Sequence, residues 1–269
     1  MSASTSRTFA EERRTTIMDM LEHNASVQVA DIAQAFGVST VTARGDLDAL
    51  AAAGKLRRTH GGAVSLHKTL TVSVQDQRVN VNVDAKQSIA RAALELVHDG
   101  DTVFIDSGTT ALEFVRMLDM RTNITVITAD ITIADFIDES LPSVDVIMLG
   151  GELRKGHRYL FGPLTMAAIA TIHADLAVIC PGAFVAGRGF VTDFPQMAEI
   201  KQAAMGAASH SVALMDASKL TSRGTYCFAP IHAVDHIVID KDDEGTLSDA
   251  LDKLPNDAKR PQLIVTTEQ

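Results

Sequence analysis

Ser39-Thr40-Val41-Thr42-Ala43-Arg44-Gly45-Asp46-Leu47 decides the reading of the N-terminal part of this chain. It opens a polar, arginine-bearing helix just after the turn Phe36-Gly37-Val38. Before that turn lies a short apolar-periodic segment, Val29 to Phe36, with Ile32, Ala33 and Phe36 on one face. Two short helices joined by a glycine turn, the second starting with small polar residues, have the pattern of a helix-turn-helix. Ser39 can cap the second helix, and Thr40, Thr42 and Arg44 can reach base edges in a DNA major groove. The plain alternative is a solvated amphipathic helix in an ordinary helical domain.

The flanks count against that alternative. Glu11 to His23 reads as a first helix, apolar at Ile17, Met20 and Leu21, with Arg13 and Arg14 at its start. After the second helix of the pair, Gly54 stops the chain. Lys55 to Val64 then reads as a hairpin of two short extended runs around Gly61-Gly62. Such a hairpin forms a wing beside a recognition helix, and Arg57 and Arg58 on it, with Arg13, suit contact with phosphates.

With these parts in order, the segment resembles the winged helix-turn-helix of the DeoR family of bacterial regulators. Arg13, Ile17, Leu21, Ser39, Thr42, Ala43, Arg44, Asp46 and Leu47 fall in the family's register. Gly45 departs, standing where that family has Arg, Lys or Asn. A glycine inside a helix costs about 1 kcal/mol relative to alanine, and it removes a side chain that could touch phosphate or base. The resemblance implies double-stranded operator DNA as a partner.

Charge is unevenly distributed over the 269 residues, whose formal net charge is −10. Residues 1–68 hold 8 Lys/Arg against 7 Asp/Glu, and the remainder holds 16 against 27. A near-neutral head with clustered arginines suits specific DNA binding, whereas the acidic remainder excludes a protein that coats nucleic acid throughout. Apolar residues make up 46% of the chain and Trp is absent, so the core should be aliphatic. The two cysteines, Cys180 and Cys227, give no disulfide framework. With no apolar signal region and no run near ~18 apolar residues, a soluble cytoplasmic protein without a membrane partner is expected.

Residues 1–68 are therefore expected to form a DNA-binding domain, 69–83 a linker, and 84–269 an α/β domain with a largely parallel sheet. After a helix from Asp84 to Val97, short apolar runs recur at 102–105, 124–127, 144–149, 176–179, 212–215, 236–239 and 263–265. Most are separated by helical segments, the signature of strands buried on both faces. Ligands of such sheets bind beyond the carboxyl ends of the strands. Three polar turns lie there: Asp106-Ser107-Gly108-Thr109-Thr110, Gly150-Gly151-Glu152-Leu153-Arg154 and Asp216-Ala217-Ser218-Lys219. The first can cradle a phosphate in its backbone amides, with Asp106 set for a sugar hydroxyl. Arg154 and Lys219 can complete an anion site.

These turns also resemble the family's C-terminal sensor domain, related in fold to ribose-5-phosphate isomerase. That resemblance implies a phosphorylated sugar or sugar acid as effector. Its motifs match Asp106, Gly108, Thr109, Thr110, Gly151, Arg154, Lys201, Asp216 and Lys219; Ser107 and Glu199 beside them are expected at the site as well, with Asp106 and Glu199 reading hydroxyls. Met197, Ala129 and Cys180-Pro181 depart from the family pattern on the same edge.

Other chemistries fit less well. Ile105-Asp106-Ser107-Gly108-Thr109-Thr110 looks like an aspartic-protease loop, but that mechanism needs two such aspartates and only one copy is present. Gly182 to Gly189 lacks the Lys-Ser/Thr ending of a P-loop and reads as a flexible rim. Cys227, His232 and His236 are loosely zinc-like without a fourth ligand. No metal or cofactor is therefore expected. A sugar-phosphate isomerase using Asp106, Glu199, Lys201 and Lys219 as acid–base groups is the enzyme alternative, and a DNA-binding head weighs against it. A single winged helix contacts little DNA, so a homodimer or tetramer is expected.

Overall fold

The computed structural model describes residues 10–11, 13–21, 26–59, 61–65 and 79–266. Packing divides the chain into two units, 1–72 and 73–269. Of the expected 69–83 linker, positions 69–78 lie outside the described residues, as does the Arg57 side chain.

In the first unit, helix α1 (13–21) precedes strand β1 (Ser26–Gln28), helices α2 (Val29–Phe36) and α3 (Thr40–Ala52), and strands β2 (Leu56–Arg58) and β3 (Gly62–Ser65). Gly37 ends α2 in the left-handed region at φ 61°, which turns the chain sharply into Ser39. Ser39 caps α3 by accepting from the Thr42 amide at 3.1 Å. The three strands pair antiparallel with β3 in the middle, against β1 and β2. A Cβ at Gly62 would lie 1.9 Å from the Val27 carbonyl oxygen, so only glycine lets β3 lie against β1 here. Ala43, Asp46, Leu47 and Leu50 form the buried face of α3, at the i, i+3, i+4, i+7 spacing. Ile17, Leu21 and Ile32 are buried in the same core.

The second unit is a seven-stranded sheet with helices on both faces. In chain order it runs α4 (Val83–Leu94), β4 (Thr102–Ile105), α5 (Thr109–Val115), β5 (Thr125–Thr128), α6 (Ile131–Ser140) and β6 (Asp145–Met148). A hairpin β7 (Glu152–Arg154) and β8 (Tyr159–Phe161), helix α7 (Pro163–Ile169) and β9 (Ala174–Ile179) follow. Next come β10 (Ala183–Val185), β11 (Gly189–Thr192), α8 (Pro195–Gly206), β12 (Ala208–Met215), α9 (Ser218–Thr221) and β13 (Tyr226–Ala229). β14 (His236–Ile239), α10 (Thr246–Asp252) and β15 (Gln262–Val265) close the chain.

The large sheet has the order β15-β14-β12-β9-β4-β5-β6, and every pair in it is parallel. Each of the seven apolar runs in the sequence supplies one of its strands. Alternation within the central runs explains why they are apolar on both faces. Val103 and Ile105 enter one core, while Phe104 enters the core on the opposite face. Strand order reverses between β4 and β9: β5 and β6 extend one way from β4, and β9, β12, β14 and β15 the other. At such a switch point two loops leave in opposite directions and open a crevice. The segment read as a flexible glycine-rich rim is instead a paired hairpin. β10 and β11 pair antiparallel, and β13 adds to β11.

Candidate functional site

The crevice between the ends of β4 and β9 holds a cavity of about 370 Å³. Ser107, Gly108, Thr109 and Thr110 line it from the β4 end, and Cys180, Pro181 and Gly182 from the β9 end. Arg154, Lys201 and Lys219 reach it from three further elements. The polar turns after β4 and β12 and the hairpin arginine thus converge on one space. Among the described residues neither Arg154 nor Lys219 forms an ion pair.

Each cation is held differently. Arg154 stacks over the Phe194 ring at 3.9 Å, and its Nη1 donates to the Tyr159 hydroxyl at 2.5 Å. Burial raises the Tyr159 pKa, with Arg154 opposing, so the phenol stays protonated. Lys201 is buried and donates to Oδ2 of Asp106 and, at 2.8 Å, to the Cys180 carbonyl. Asp106 also accepts from the Cys180 amide at 2.9 Å, so one carboxylate ties the β4 loop, the β9 loop and α8 together. Its Oδ1 is buried without a hydrogen-bond partner among the described residues. The Ser107 hydroxyl donates to Asp130 at 2.5 Å, and Asp130 in turn caps α6 through the Thr132 and Ile133 amides.

Several residues expected at the site stand elsewhere. Asp106 is absent from the cavity lining and acts through Lys201. Glu199 is exposed and outside the lining, because α8 turns Met197 and Lys201 inward and the residue midway between them outward. Gly151 is a packing position, where a Cβ would lie 2.2 Å from Thr165 Oγ1. Asp216 lines a separate cleft with Asn82, Asp84 and Asp240. Burial alone would raise its pKa, but hydrogen bonds from Ser218 and Asn82 and the charge of Lys219 bring the net value below the usual range. Asp216 therefore shapes the loop that carries Lys219. Conversely, His157, Tyr159, Thr192 and Arg223 line the cavity without having been singled out. Tyr159 faces Arg154 directly in the β7–β8 pairing, which only the hairpin register reveals.

On the first unit, Ser39, Thr40, Thr42 and Arg44 are all exposed along the start of α3. Arg13 is not. Its Nε donates to Asp46 Oδ2 at 2.5 Å and its side chain is 15% exposed, so it holds α1 on α3 instead of facing phosphate. Arg14 donates to the other Asp46 oxygen at 2.9 Å. Arg58 bridges the wing to α3, donating to Asp48 at 2.8 Å and to the Gly62 carbonyl at 2.5 Å. Among the described residues no group of three His, Cys, Asp or Glu could hold a metal, and no helix is long and apolar enough to cross a membrane.

Comparison with known proteins agrees with both halves. Residues 13–69 match the model of the DeoR-like helix-turn-helix domain, and residues 81–241 that of the DeoR C terminal sensor domain. The chain is 31% identical to a putative aga operon transcriptional repressor of Escherichia coli O157:H7, over 92% of this chain and 91% of that one. It is 29% identical to the HTH-type transcriptional repressor GlcR of Bacillus subtilis, over 91% and 94%. A solved ribose 5-phosphate isomerase A of Methanocaldococcus jannaschii overlaps 52% of this chain and 55% of its own at 19% identity, with a TM-score of 0.39. With an exposed recognition helix, a wing and a sensor unit in one chain, this protein belongs to the DeoR family of DNA-binding transcriptional regulators.

Proposed function

We propose that the chain represses a carbohydrate-utilisation operon and is released from its operator by a phosphorylated sugar or sugar acid held in the switch-point cavity. The observation that carries this reading is the convergence of Thr109, Arg154, Lys201 and Lys219 on one cavity beyond the strand ends. Neither Arg154 nor Lys219 is engaged in an ion pair among the described residues, although Lys219 lies near enough to Asp216 to lower its pKa, and the loop amides at 107–110 add donors. A phosphate there gains charge-assisted hydrogen bonds. A sugar acid offers a carboxylate with the same preference. The relatives named as repressors of the aga operon and as GlcR support repression as the direction. An isomerase built on Asp106, Glu199, Lys201 and Lys219 fits less well, because Lys201 neutralises Asp106 and Glu199 points away.

Titrating sugar phosphates and sugar acids against the protein bound to operator DNA tests the reading. Coupling of about 1–3 kcal/mol, roughly 5- to 150-fold in operator affinity, is expected for the effector. Thr109→Asp sets a carboxylate where the phosphate belongs. That variant should bind operator as the wild type does and lose the effector response. If no phosphorylated sugar or sugar acid shifts operator affinity, the effector reading fails. A Thr109→Asp protein that responds normally moves the site elsewhere.

Base reading is assigned to the start of α3, with Thr40, Thr42 and Arg44 at base edges and Arg57 and Arg58 at phosphates. Arg44→Ala should cost about 1–3 kcal/mol on the cognate duplex and much less on random DNA. Equal losses on the two, measured at one salt concentration, would make Arg44 a phosphate contact.

A further inference from the structure

We infer that Val41 reads the C5-methyl group of a thymine in the operator, and that Gly45 lets it approach. The inference rests on α3 being the recognition helix. Val41 is 73% exposed, in the first turn of a helix whose buried face is fully occupied by other residues. An exposed valine there is unfavourable in two ways. It leaves two methyl groups in water, and as a β-branched residue between two threonines it is a weaker helix former than Lys, Glu or Gln. At that exposure, packing by the described residues of the head does little to offset either cost.

Its neighbours on the helix say what it faces. Val41, Arg44, Gly45 and Asp48 are spaced three, four and seven apart and are all exposed, so they form one face with the arginine. A Cβ built at Gly45 meets nothing within 4 Å, so the middle of this face has no side chain and no neighbouring group fills the space. Asp48 beyond it is paired with Arg58 at 2.8 Å, which tempers its charge toward phosphate. The face therefore has a short, stiff apolar group at its leading end and a gap behind it, and α3 can approach the groove more closely than a long residue at 45 would permit. Thymine's methyl is the one apolar group displayed on a major-groove edge. A side chain with methyls fixed in one rotamer matches it.

The test begins by selecting a tight-binding duplex from a random library with the full chain. Each thymine of that duplex is then replaced in turn by uracil, which removes only the methyl group. Affinities are measured at constant salt for the wild type, V41A, G45Q and R44A. One thymine per half-site should weaken the wild type by about fourfold on conversion to uracil, the size of one buried methyl-sized group. V41A should bind the thymine duplex about as weakly as the wild type binds the duplex with that thymine replaced by uracil in every half-site, and should not weaken further on uracil. G45Q should lose the same methyl sensitivity, because its longer side chain holds the helix off. The inference is overturned if no thymine matters to the wild type, or if V41A loses as much as the wild type at every uracil. If instead R44A and V41A both keep full preference for the selected duplex over random DNA, the assignment of α3 as reader fails, and this inference with it. Val41 lies on the surface, so an unchanged Tm for V41A shows that the head is intact.

Discussion

Lys201→Met should unfold the sensor unit roughly 10 °C earlier than the wild type, about 3–5 kcal/mol of lost stability. The ammonium and its carboxylate partner are 3% and 1% exposed, so neither can turn to water once the other is gone. Methionine fills similar volume, which separates the electrostatic loss from a packing defect. Asp106 would be left as a buried charge with the Cys180 amide as its remaining donor among the described residues. Pairing the change with Asp106→Leu removes the stranded charge as well and should recover much of the loss, since apolar replacement of a whole buried pair is often neutral. Calorimetry on the single and double variants decides. A single variant that melts with the wild type shows that the pair contributes little to folding.

Asp46→Ala should destabilise the head by about 3 kcal/mol and abolish tight operator binding with it. Asp46 is the one charged side chain on the buried face of α3 and accepts from two arginines on α1. Without it, Arg13 and Arg14 repel each other beside an apolar core, and α1 loses its polar attachment to the recognition helix. Asp46→Asn keeps an acceptor but no charge and should fall between the two. Hydrogen exchange over α1 and α3 in the full chain locates the effect. A loss of protection confined to the sensor unit would contradict it.

The sequence made the large elements legible because their signals are local. Strands buried on both faces appear as apolar runs, and the glycine turn before Ser39 fixes two helices at once. The two small sheets were not legible. Strands as short as Ala183–Val185 carry no usable alternation, and β13 pairs with β11 from more than thirty residues downstream. At the site, the polar turns pointed to the right edge of the sheet. What they could not give was the direction of single side chains. Glu199 is two residues from Lys201, about half a turn of helix, and so faces away. Arg13 and Asp46 both belong to the motif, yet thirty-three positions of separation hide that they bind each other.

The thiol at the end of β9 has a bearing on what kind of signal this cavity can answer. Burial, reinforced by the Asp106 carboxylate, pushes Cys180 up to about 12. At neutral pH it therefore stays a thiol, and it is the thiolate that attacks peroxides and alkylating agents. Cys227, by contrast, is exposed on the β13 strand. Oxidative stress would therefore mark the rim of the molecule before its cavity, and the cavity would answer to a reversible ligand rather than to covalent change at its own sulfur.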